Sequence, residues 1–281
     1  MTMQVFDRRA VRLHRDRAAA LLPRVADLLR ECAERLVERL DDVVAERRFA
    51  RALDLGGRGA VAPLLRARGI EVVSVDISPV MAGIAGGGAA VVADEEWLPF
   101  APGSFDLAVA SVSLHWVNDL PGCLIQLRQA LRPDGLLLAS VPVLGTLQSL
   151  RDALTEAEAE IAGGVAPRIS PFPELRDCAG LLQRAGFALP VVDREDITLG
   201  YADALGLLRD LRAAGETNAL IRRDRRIPPR GLFGAALARL GGRIEVALRL
   251  AMMTAWAPHE SQPRPLRPGS GAVDLRDVLG S

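Results

Sequence analysis

Short apolar runs alternate with helical patterns between residues 51 and 142, and this alternation constrains the fold more than any other feature. The runs with strand composition read "ALDLGG", "IEVVSVDIS", "AAVVAD", "FDLAVASVS" and "LLLASVP". Between them lie the helical patterns "VAPLLRARG" and "CLIQLRQALRPDG", the second of which we expect Pro133 and Gly135 to end. Such alternation predicts βαβ units. Because their crossovers are right-handed, we expect an α/β fold with a doubly wound, mostly parallel sheet.

The flanking segments extend this core on both sides. Apolar residues at helical spacing predict a helix over residues 23–48, preceded by a shorter one over 8–22. After residue 146 we expect helices up to 162 and over 174–185. Two strand-like stretches, "VVDREDITLGY" and "GRIEVALRLAMMTAW", then enclose a helical insertion at about 202–240, and a loop begins at Pro258. We interpret 1–281 as a single domain with a helical cap (1–49), a cofactor-binding half (50–145) and a C-terminal half (146–281).

Composition excludes several classes of function. The formal net charge is zero, which argues against a broad nucleic-acid surface. All the basic residues are arginines, so lysine chemistry is excluded. The three cysteines and three histidines are scattered without metal-ligand or disulfide spacing, which predicts no metal site and fits a reducing cytoplasm. No apolar run is long enough to span a bilayer, so we expect no transmembrane segment.

The chemistry-bearing residues follow the predicted strands. Asp54 lies in the first strand, ahead of the glycine loop of Gly56, Gly57 and Gly59, and Asp76 ends the second strand. Asp94 and Glu95 follow the third strand, and "SVSLHWVNDLP" follows the fourth. Ligands of open parallel sheets bind beyond these carboxyl ends. We therefore expect Asp76 to accept both hydroxyls of a ribose, and Asp94 or Glu95 to accept a bond from the adenine amine.

The charge of this edge favours one cofactor over another. A dinucleotide fingerprint needs G-x-G-x-x-G, whereas this loop reads G-G-R-G. Three carboxylates around one cleft repel a pyrophosphate but suit the cationic sulfonium and ammonium of S-adenosylmethionine. The residues therefore predict S-adenosylmethionine rather than NAD.

These motifs resemble those of the class I S-adenosylmethionine-dependent methyltransferase superfamily. The resemblance is carried by Asp54-Leu55-Gly56, by Asp76-Ile77-Ser78 with Met81, by Asp94 with "LPF", by Phe105-Asp106-Leu107 and by "LRPDG". It implies a Rossmann-like sheet of seven strands. It also implies that the cofactor is held by Asp54, Gly56, Gly57, Gly59, Asp76, Ile77, Asp94, Glu95 and Ser113.

More narrowly, the chain resembles the mitochondrial and α-proteobacterial complex I assembly factors of this superfamily. The stretches that carry this resemblance are "FDRRAVRLHRDRAA", "ADEEWLPF", "SLHWVNDLP", "GGVAPRISPF", "LLQRAGF", "GETNAL" and "WAPHESQPRP". It implies a protein arginine hydroxylase that acts on a quinone-module subunit of respiratory complex I. Such relatives are found in the mitochondrial matrix, associated with the inner membrane, and for a bacterial chain we expect the cytoplasm. A more distant resemblance is to malonyl-acyl-carrier-protein O-methyltransferases.

The glycine loop departs from this family's pattern. The usual D-L-G-C-G-R-G is here D-L-G-G-R-G, one residue shorter. Either Gly57 moves up to meet the cofactor, or Arg58 takes a place meant for glycine, where it would crowd or repel the sulfonium. Cofactor affinity is the property that this change puts in question.

Three residues are candidates for catalysis. His115 and Trp116 follow the fourth strand, where the transferred group and its acceptor would meet. His115 is either a general base or a residue that packs on the cofactor without moving a proton. Glu260, in "PHESQPRP", either holds a substrate guanidinium or belongs to a loop pinned to the body of the protein.

The function predicted from these features is modification of a protein side chain, by methyl transfer or by arginine hydroxylation. Hydroxylation needs activated oxygen, and the dispersed histidines suggest no iron site. Two alternatives stay open. One is a non-catalytic assembly or chaperone factor for respiratory complex I, and the other is a malonyl-acyl-carrier-protein-type O-methyltransferase.

Overall fold

A computed structural model describes residues 4–43, 47–85 and 88–263 of the chain. Its strands are β1 (Arg51–Leu55), β2 (Glu71–Asp76), β3 (Ala89–Val92), β4 (Phe105–Ser111), β5 (Leu131–Pro142), β6 (Ala188–Tyr201) and β7 (Ile244–Trp256). Its α-helices are α1 (Arg8–Ala18), α2 (Ala26–Val37), α3 (Val61–Ala67), α4 (Pro79–Ile84), α5 (Leu120–Ala130), α6 (Gln148–Ala162), α7 (Leu175–Arg184), α8 (Ala204–Ala213) and α9 (Leu232–Leu240).

The strands form one sheet in the order β3-β2-β1-β4-β5-β7-β6. The first five strands are parallel to their neighbours, whereas β7 runs antiparallel to both β5 and β6. The predicted mostly parallel, seven-stranded α/β sheet is therefore confirmed. The chain reverses its direction of winding between β1 and β4, and ligands of such sheets bind outside the carboxyl ends at this point.

Both faces of the sheet are buried, which explains why its central strands are almost continuously apolar. On one face α5 and α7 pack against residues such as Leu53, Leu137 and Met253. On the other face α2 and α3 pack against residues such as Val109 and Leu138. Because helices pack on both faces of the sheet, the carboxyl ends of β1, β2, β3 and β4 are held together at one edge.

Three predicted boundaries differ from the structure. The α-helix expected over 23–48 ends at Val37, after which a 3-10 turn follows. The helix expected to run on to Pro133 and Gly135 ends at Ala130, because Leu131 pairs with Phe105 and begins β5. The insertion at 202–240 is helical only in α8 and α9.

The first helix lies across the carboxyl edge of the sheet. The carboxylate of Asp7 caps α1 by accepting the N–H of Ala10 at 3.1 Å. Just before it, Phe6 forms an isolated antiparallel bridge with Leu220, and the side-chain oxygen of Asn118 accepts the N–H groups of Val5 and Phe6 at 2.8 and 2.7 Å. These contacts tie α1 both to the segment after α8 and to the loop after β4.

Candidate functional site

Asp54 and the glycine loop pack so closely that neither Gly56 nor Gly57 has room for a side chain. A Cβ on Gly57 would lie 2.1 Å from Asp54 Oδ1, and one on Gly56, whose φ is +67°, would lie 2.7 Å from Ser113 Cβ. The Ser113 hydroxyl donates to the Leu55 carbonyl at 2.7 Å. The loop is thus pressed against both the end of β1 and the loop after β4.

Asp54 is an acid held in an apolar setting. It is 1% exposed, and its Oδ2 accepts the Ser74 hydroxyl at 3.3 Å. Its Oδ1 has no hydrogen-bond partner among the residues that the structure describes. Burial raises the pKa of Asp54 to about 7. Burial therefore favours the protonated carboxyl group, while the Ser74 hydroxyl and the Gly57 backbone oppose this shift.

Arg58 turns away from the acidic edge. Its φ is +50°, a left-handed conformation that is uncommon outside glycine. Its guanidinium donates to the carbonyls of Val112 and Ala214 at 2.8 and 3.0 Å and to the Glu216 carboxylate at 2.8 Å. The shortened loop therefore leaves Gly57 beside Asp54 and directs the arginine behind the loop.

The acids after β2 and β3 are paired with arginines of α1. Arg15 Nη1 donates to Asp76 Oδ2 at 2.9 Å and to Glu95 Oε1 at 3.0 Å. Arg8 donates to Asp94 at 2.7 Å and also bonds Glu95. Although burial opposes its charge, Asp76 and Glu95 raise the pKa of Arg15. Buried charges persist only when they are paired, so the cluster of uncompensated carboxylates expected from the sequence is instead neutralised by the chain's own guanidinium groups.

The residues predicted to hold a nucleoside lie together at this edge, but Arg15 occupies the space between them. Asp76 Oδ1 accepts the Ser78 N–H at 2.8 Å, while Oδ2 accepts from Arg15. Arg15 Nη1 lies 3.2 Å from where a Gly56 Cβ would be, so this guanidinium fills the space between the glycine loop and the acids. Ile77 is partly buried next to Asp76. A ribose that bonded Asp76 would replace Arg15 there.

His115 and Trp116 share one carboxylate, that of Glu216. His115 Nε2 and Trp116 Nε1 each lie 2.7 Å from Glu216 Oε2, while Arg58 occupies Oε1. Burial opposes ionisation of Glu216, but the charges and hydrogen bonds of His115, Arg58 and Trp116 hold its pKa well below the ordinary value. An ionised Glu216 accepts but cannot donate, so neutral His115 carries its proton on Nε2 and presents a basic Nδ1.

Glu260 is not brought to this site. Because β7 is antiparallel to β5, Trp256 pairs with Leu136 near the start of β5. The loop after Trp256 therefore lies at the opposite edge of the sheet, where Gln262 donates to Asp134 at 2.8 Å. Glu260 is exposed there, and Arg264 lies outside the described residues. The predicted catalytic role of Glu260 has no geometric support.

Sequence reasoning missed three charged residues that pair with the predicted site residues: Arg8, Arg15 and Glu216. A signal for the arginines existed, because residues 8, 11, 15 and 18 share one face of a helix, and two of them, Val11 and Ala18, are apolar. An arginine on the buried face needs a carboxylate partner. Glu216 stands in "GETNAL", and neither its spacing nor its neighbours in the sequence point to His115.

Within 4–43, 47–85 and 88–263, no group of three or more His, Cys, Asp or Glu side chains is arranged to hold a metal ion. Over the same ranges, none of the helices combines the length and the apolar character needed to cross a membrane.

Comparison with known proteins identifies the family to which the chain belongs. A family model described as a methyltransferase domain matches residues 15–190. The chain belongs to the methyltransferase superfamily. Among solved structures, this methyltransferase fold is similar to the YcgJ protein of a Bacillus species, with a TM-score of 0.55 and 14% identity over 80% of this chain and 99% of that one. A Haemonchus contortus phosphoethanolamine N-methyltransferase gives a TM-score of 0.51 at 16% identity, over 80% of this chain and 53% of that one. At such identities the likeness concerns the fold.

Curated relatives of this methyltransferase-superfamily chain are of two kinds. The mitochondrial arginine-hydroxylase NDUFAF5 of zebrafish (Danio rerio) is 36% identical, over 98% of this chain and 90% of its own length. Human NDUFAF5 is also 36% identical, over 99% of this chain and 84% of its own length. A malonyl-acyl-carrier-protein O-methyltransferase of Laribacter hongkongensis is 36% identical over 96% of both chains. The two resemblances expected from the sequence are both confirmed.

Proposed function

We propose that this chain binds S-adenosylmethionine at the carboxyl ends of β1 to β4 and modifies an arginine side chain of a protein. The observation that carries this proposal is the 36% identity with arginine-hydroxylases over at least 98% of the chain. The stretches shared with complex I assembly factors support a quinone-module subunit of respiratory complex I as the protein partner. We place the enzyme in the cytoplasm, and its three buried, unpaired cysteines are compatible with that reducing compartment.

The cofactor would be held by residues that lie together at the carboxyl ends of β1 to β4, where Arg8 and Arg15 of α1 now pair with the acids. Gly56 and Gly57 would allow its close approach, Asp54 would support the loop at the end of β1, and Asp76 would bond the ribose once Arg15 has turned away. Asp94, which is partly exposed, and Glu95 would bond the adenine once Arg8 no longer pairs with them. Ile77 and Ser113 would line the cleft. Bound there, S-adenosylmethionine supplies an activated methyl group.

His115 is the residue best placed to move a proton in this reaction. Its Nε2 is fixed by Glu216 at 2.7 Å, which orients the ring and leaves Nδ1 as the basic atom. Histidine is the side chain that enzymes use most often as a general base. Trp116 donates a hydrogen bond to the same carboxylate and would form the wall of the site beside the His115 ring. We assign the base to His115 and a positioning role to Glu216.

The mass of the product distinguishes methylation, for which S-adenosylmethionine supplies the methyl group, from hydroxylation, which would also need molecular oxygen and two electrons from an external reductant. A second candidate function, carboxyl methylation of an acyl-carrier-bound substrate, is favoured by the 36% identity with the malonyl-acyl-carrier-protein O-methyltransferase over 96% of both chains. A third, a non-catalytic assembly factor, is favoured by the arginine pairs that fill the acidic cleft.

Two measurements separate these functions. Calorimetric titration of the full chain with S-adenosylmethionine is expected to give saturable binding with one site per chain. Incubation with the candidate complex I subunit, followed by peptide mass spectrometry, is expected to show one arginine heavier by a methylene or by an oxygen atom. No cofactor binding and no mass change would overturn the enzymatic proposal, and methylation of a malonyl-acyl carrier protein with an unmodified subunit would favour the second candidate.

A further inference from the structure

The guanidinium of Arg58 joins three segments that surround His115. Arg58 lies in the glycine loop after β1, and its side chain is 2% exposed. Its Nη2 donates to the Val112 carbonyl at 2.8 Å, in the loop after β4. Its Nη1 donates to the Ala214 carbonyl at 3.0 Å, at the end of α8. Because a guanidinium is planar and rigid, these bonds fix the glycine loop, the loop that carries His115 and the end of α8 relative to one another.

The backbone of Val112 has a conformation that needs such support. Its φ is +47°, which is a genuine outlier for a β-branched residue. Its N–H donates to the carbonyl and the hydroxyl of Ser140, both at 3.1 Å, so hydrogen bonds hold the residue on both sides. Strained conformations persist only where the surroundings over-determine them. Val112 directly follows β4 and shortly precedes His115, so the bond from Arg58 helps to set the direction in which the chain leaves β4 for His115.

The same guanidinium also fixes the carboxylate that orients His115. Arg58 Nη1 donates to Glu216 Oε1 at 2.8 Å. Glu216 Oε2 lies 2.7 Å from both His115 Nε2 and Trp116 Nε1. The carboxylate therefore cannot turn without breaking its bond to the arginine or its bonds to the two rings. Buried charges persist only when they are paired, and Arg58 supplies a permanent positive charge to this carboxylate, whatever the protonation state of His115.

We propose that Arg58 is a positioning residue for the reaction: it holds the Glu216 carboxylate, and through it the ring of His115, at a fixed place relative to the glycine loop. This role rests on the proposed function, in which the cofactor meets the glycine loop and His115 moves a proton. Orientation of the reacting groups supplies a large part of enzymatic rate enhancement, and a displacement of about 1 Å can lower a rate roughly 100-fold. Arg58 thus acts on the rate through His115.

Trp116 reports on this arrangement without any assay of activity. The chain has three tryptophans, so the indole N–H signals of Trp97, Trp116 and Trp256 can be assigned in a nitrogen–proton correlation spectrum of the full chain. Arg58→Met is expected to shift the Trp116 signal and to speed the exchange of its proton with solvent at least about tenfold, because the bond to the carboxylate loosens. The signal of Trp97, which is 80% exposed, should not move.

The second measurement is the rate of arginine modification in the peptide assay. Arg58→Met should lower kcat by about 10- to 100-fold and leave the KM for the peptide and the Kd for S-adenosylmethionine nearly unchanged. In a His115→Gln background the same substitution should have almost no further effect, because residues that act as a unit are not additive. Arg128→Met is the matched control and should keep kcat. Arg128 Nε also donates to a backbone carbonyl, that of Ala185 at 2.7 Å, but at the end of α5 where β5 begins, and thus at the opposite edge of the sheet.

Any of three results would overturn the proposal: an unchanged kcat in Arg58→Met, an unchanged Trp116 signal, or the same loss of kcat with and without His115. If Arg58→Met does not fold, as judged by circular dichroism, Arg58→Lys takes its place. Its ammonium keeps the charge but cannot reproduce the fork of hydrogen bonds, so both readouts should change in the same direction by less, and no change would overturn the proposal. If the unaltered chain modifies no arginine, the proposed function fails, and the Trp116 signal still decides the role of Arg58.

Discussion

The guanidinium of Arg15 lies 2.9 Å from the carboxylate of Asp76, so the acid at the end of β2 is bonded to the chain's own first helix. Both side chains are almost completely buried, at 2% and 4% exposure. The same guanidinium reaches Glu95, which is 0% exposed. Helix α1 is therefore part of the carboxyl edge of the sheet, and its charges balance those of the strand ends.

Removal of this guanidinium should destabilise the fold. Arg15→Ala leaves Asp76 and Glu95 buried without a partner, and breaking a buried pair in this way costs about 3–5 kcal/mol. Urea denaturation monitored by circular dichroism should show a correspondingly lower midpoint. Arg17→Ala, at an exposed position two residues along α1, is the matched control and should change the free energy of unfolding by less than about 0.5 kcal/mol. Equal effects of the two changes would contradict the pairing.

Asp54 should make stability depend on pH. Its pKa is 3.8 in an ordinary setting and about 7 in the fold, because burial disfavours the charged form. The folded chain therefore holds a proton that the unfolded chain releases, and this contribution is complete below pH 4 and lost as pH rises to about 7. Asp54→Asn, which mimics the neutral acid, lacks this loss.

The measurement is the difference in unfolding free energy between the unaltered chain and Asp54→Asn at several pH values. Relative to the variant, the unaltered chain should lose about 1 kcal/mol per pH unit between pH 4 and 7 and nothing further above that range. A difference that stays constant with pH would show that Asp54 titrates normally.

Gly57 should not tolerate even one added methyl group. A Cβ there would lie 2.1 Å from Asp54 Oδ1, so Gly57→Ala must displace the carboxyl group or the loop. We expect a loss of about 1–3 kcal/mol in stability and a weaker affinity for S-adenosylmethionine in the same titration. Gly83→Ala in α4, where nothing lies within 4 Å, is the control and should be neutral or stabilising by about 0.5–1 kcal/mol. Identical behaviour of the two variants would count against close packing of this loop.

Substitutions of His115 and Glu260 should have different effects on the rate of arginine modification in the peptide assay. His115→Gln is expected to retain cofactor binding but to lower the rate of arginine modification by about 100-fold or more, as loss of a general base does. Glu260→Gln should leave the rate unchanged, because the loop after β7 lies at the opposite edge of the sheet. If the His115→Gln variant kept its activity, the role of the His115 ring would be packing alone.

The sheet was predictable because its signal is local and repeated. Each strand is a short apolar run, and a parallel order then places Asp54, Asp76 and Glu95 at one edge whatever the details of packing. The pairs across the edge were not predictable in this way. Glu216 meets His115 from about a hundred positions further along the chain, and Arg8 meets Glu95 from the first helix. Such contacts depend on how α1 and α8 are docked, which periodicity does not specify.

The bridge between Phe6 and Leu220 has a mechanical consequence. Backbone hydrogen bonds from the Asp7 N–H to the Ala219 carbonyl and from the Ile221 N–H to the Val5 carbonyl, at 2.8 and 2.9 Å, extend this bridge into a short antiparallel pairing. A displacement of α1 that keeps this pairing intact would therefore also move the segment next to Glu216. Displacement of α1 from the acids at the ends of β2 and β3 and loosening of the bond between His115 and Glu216 would then be a single movement.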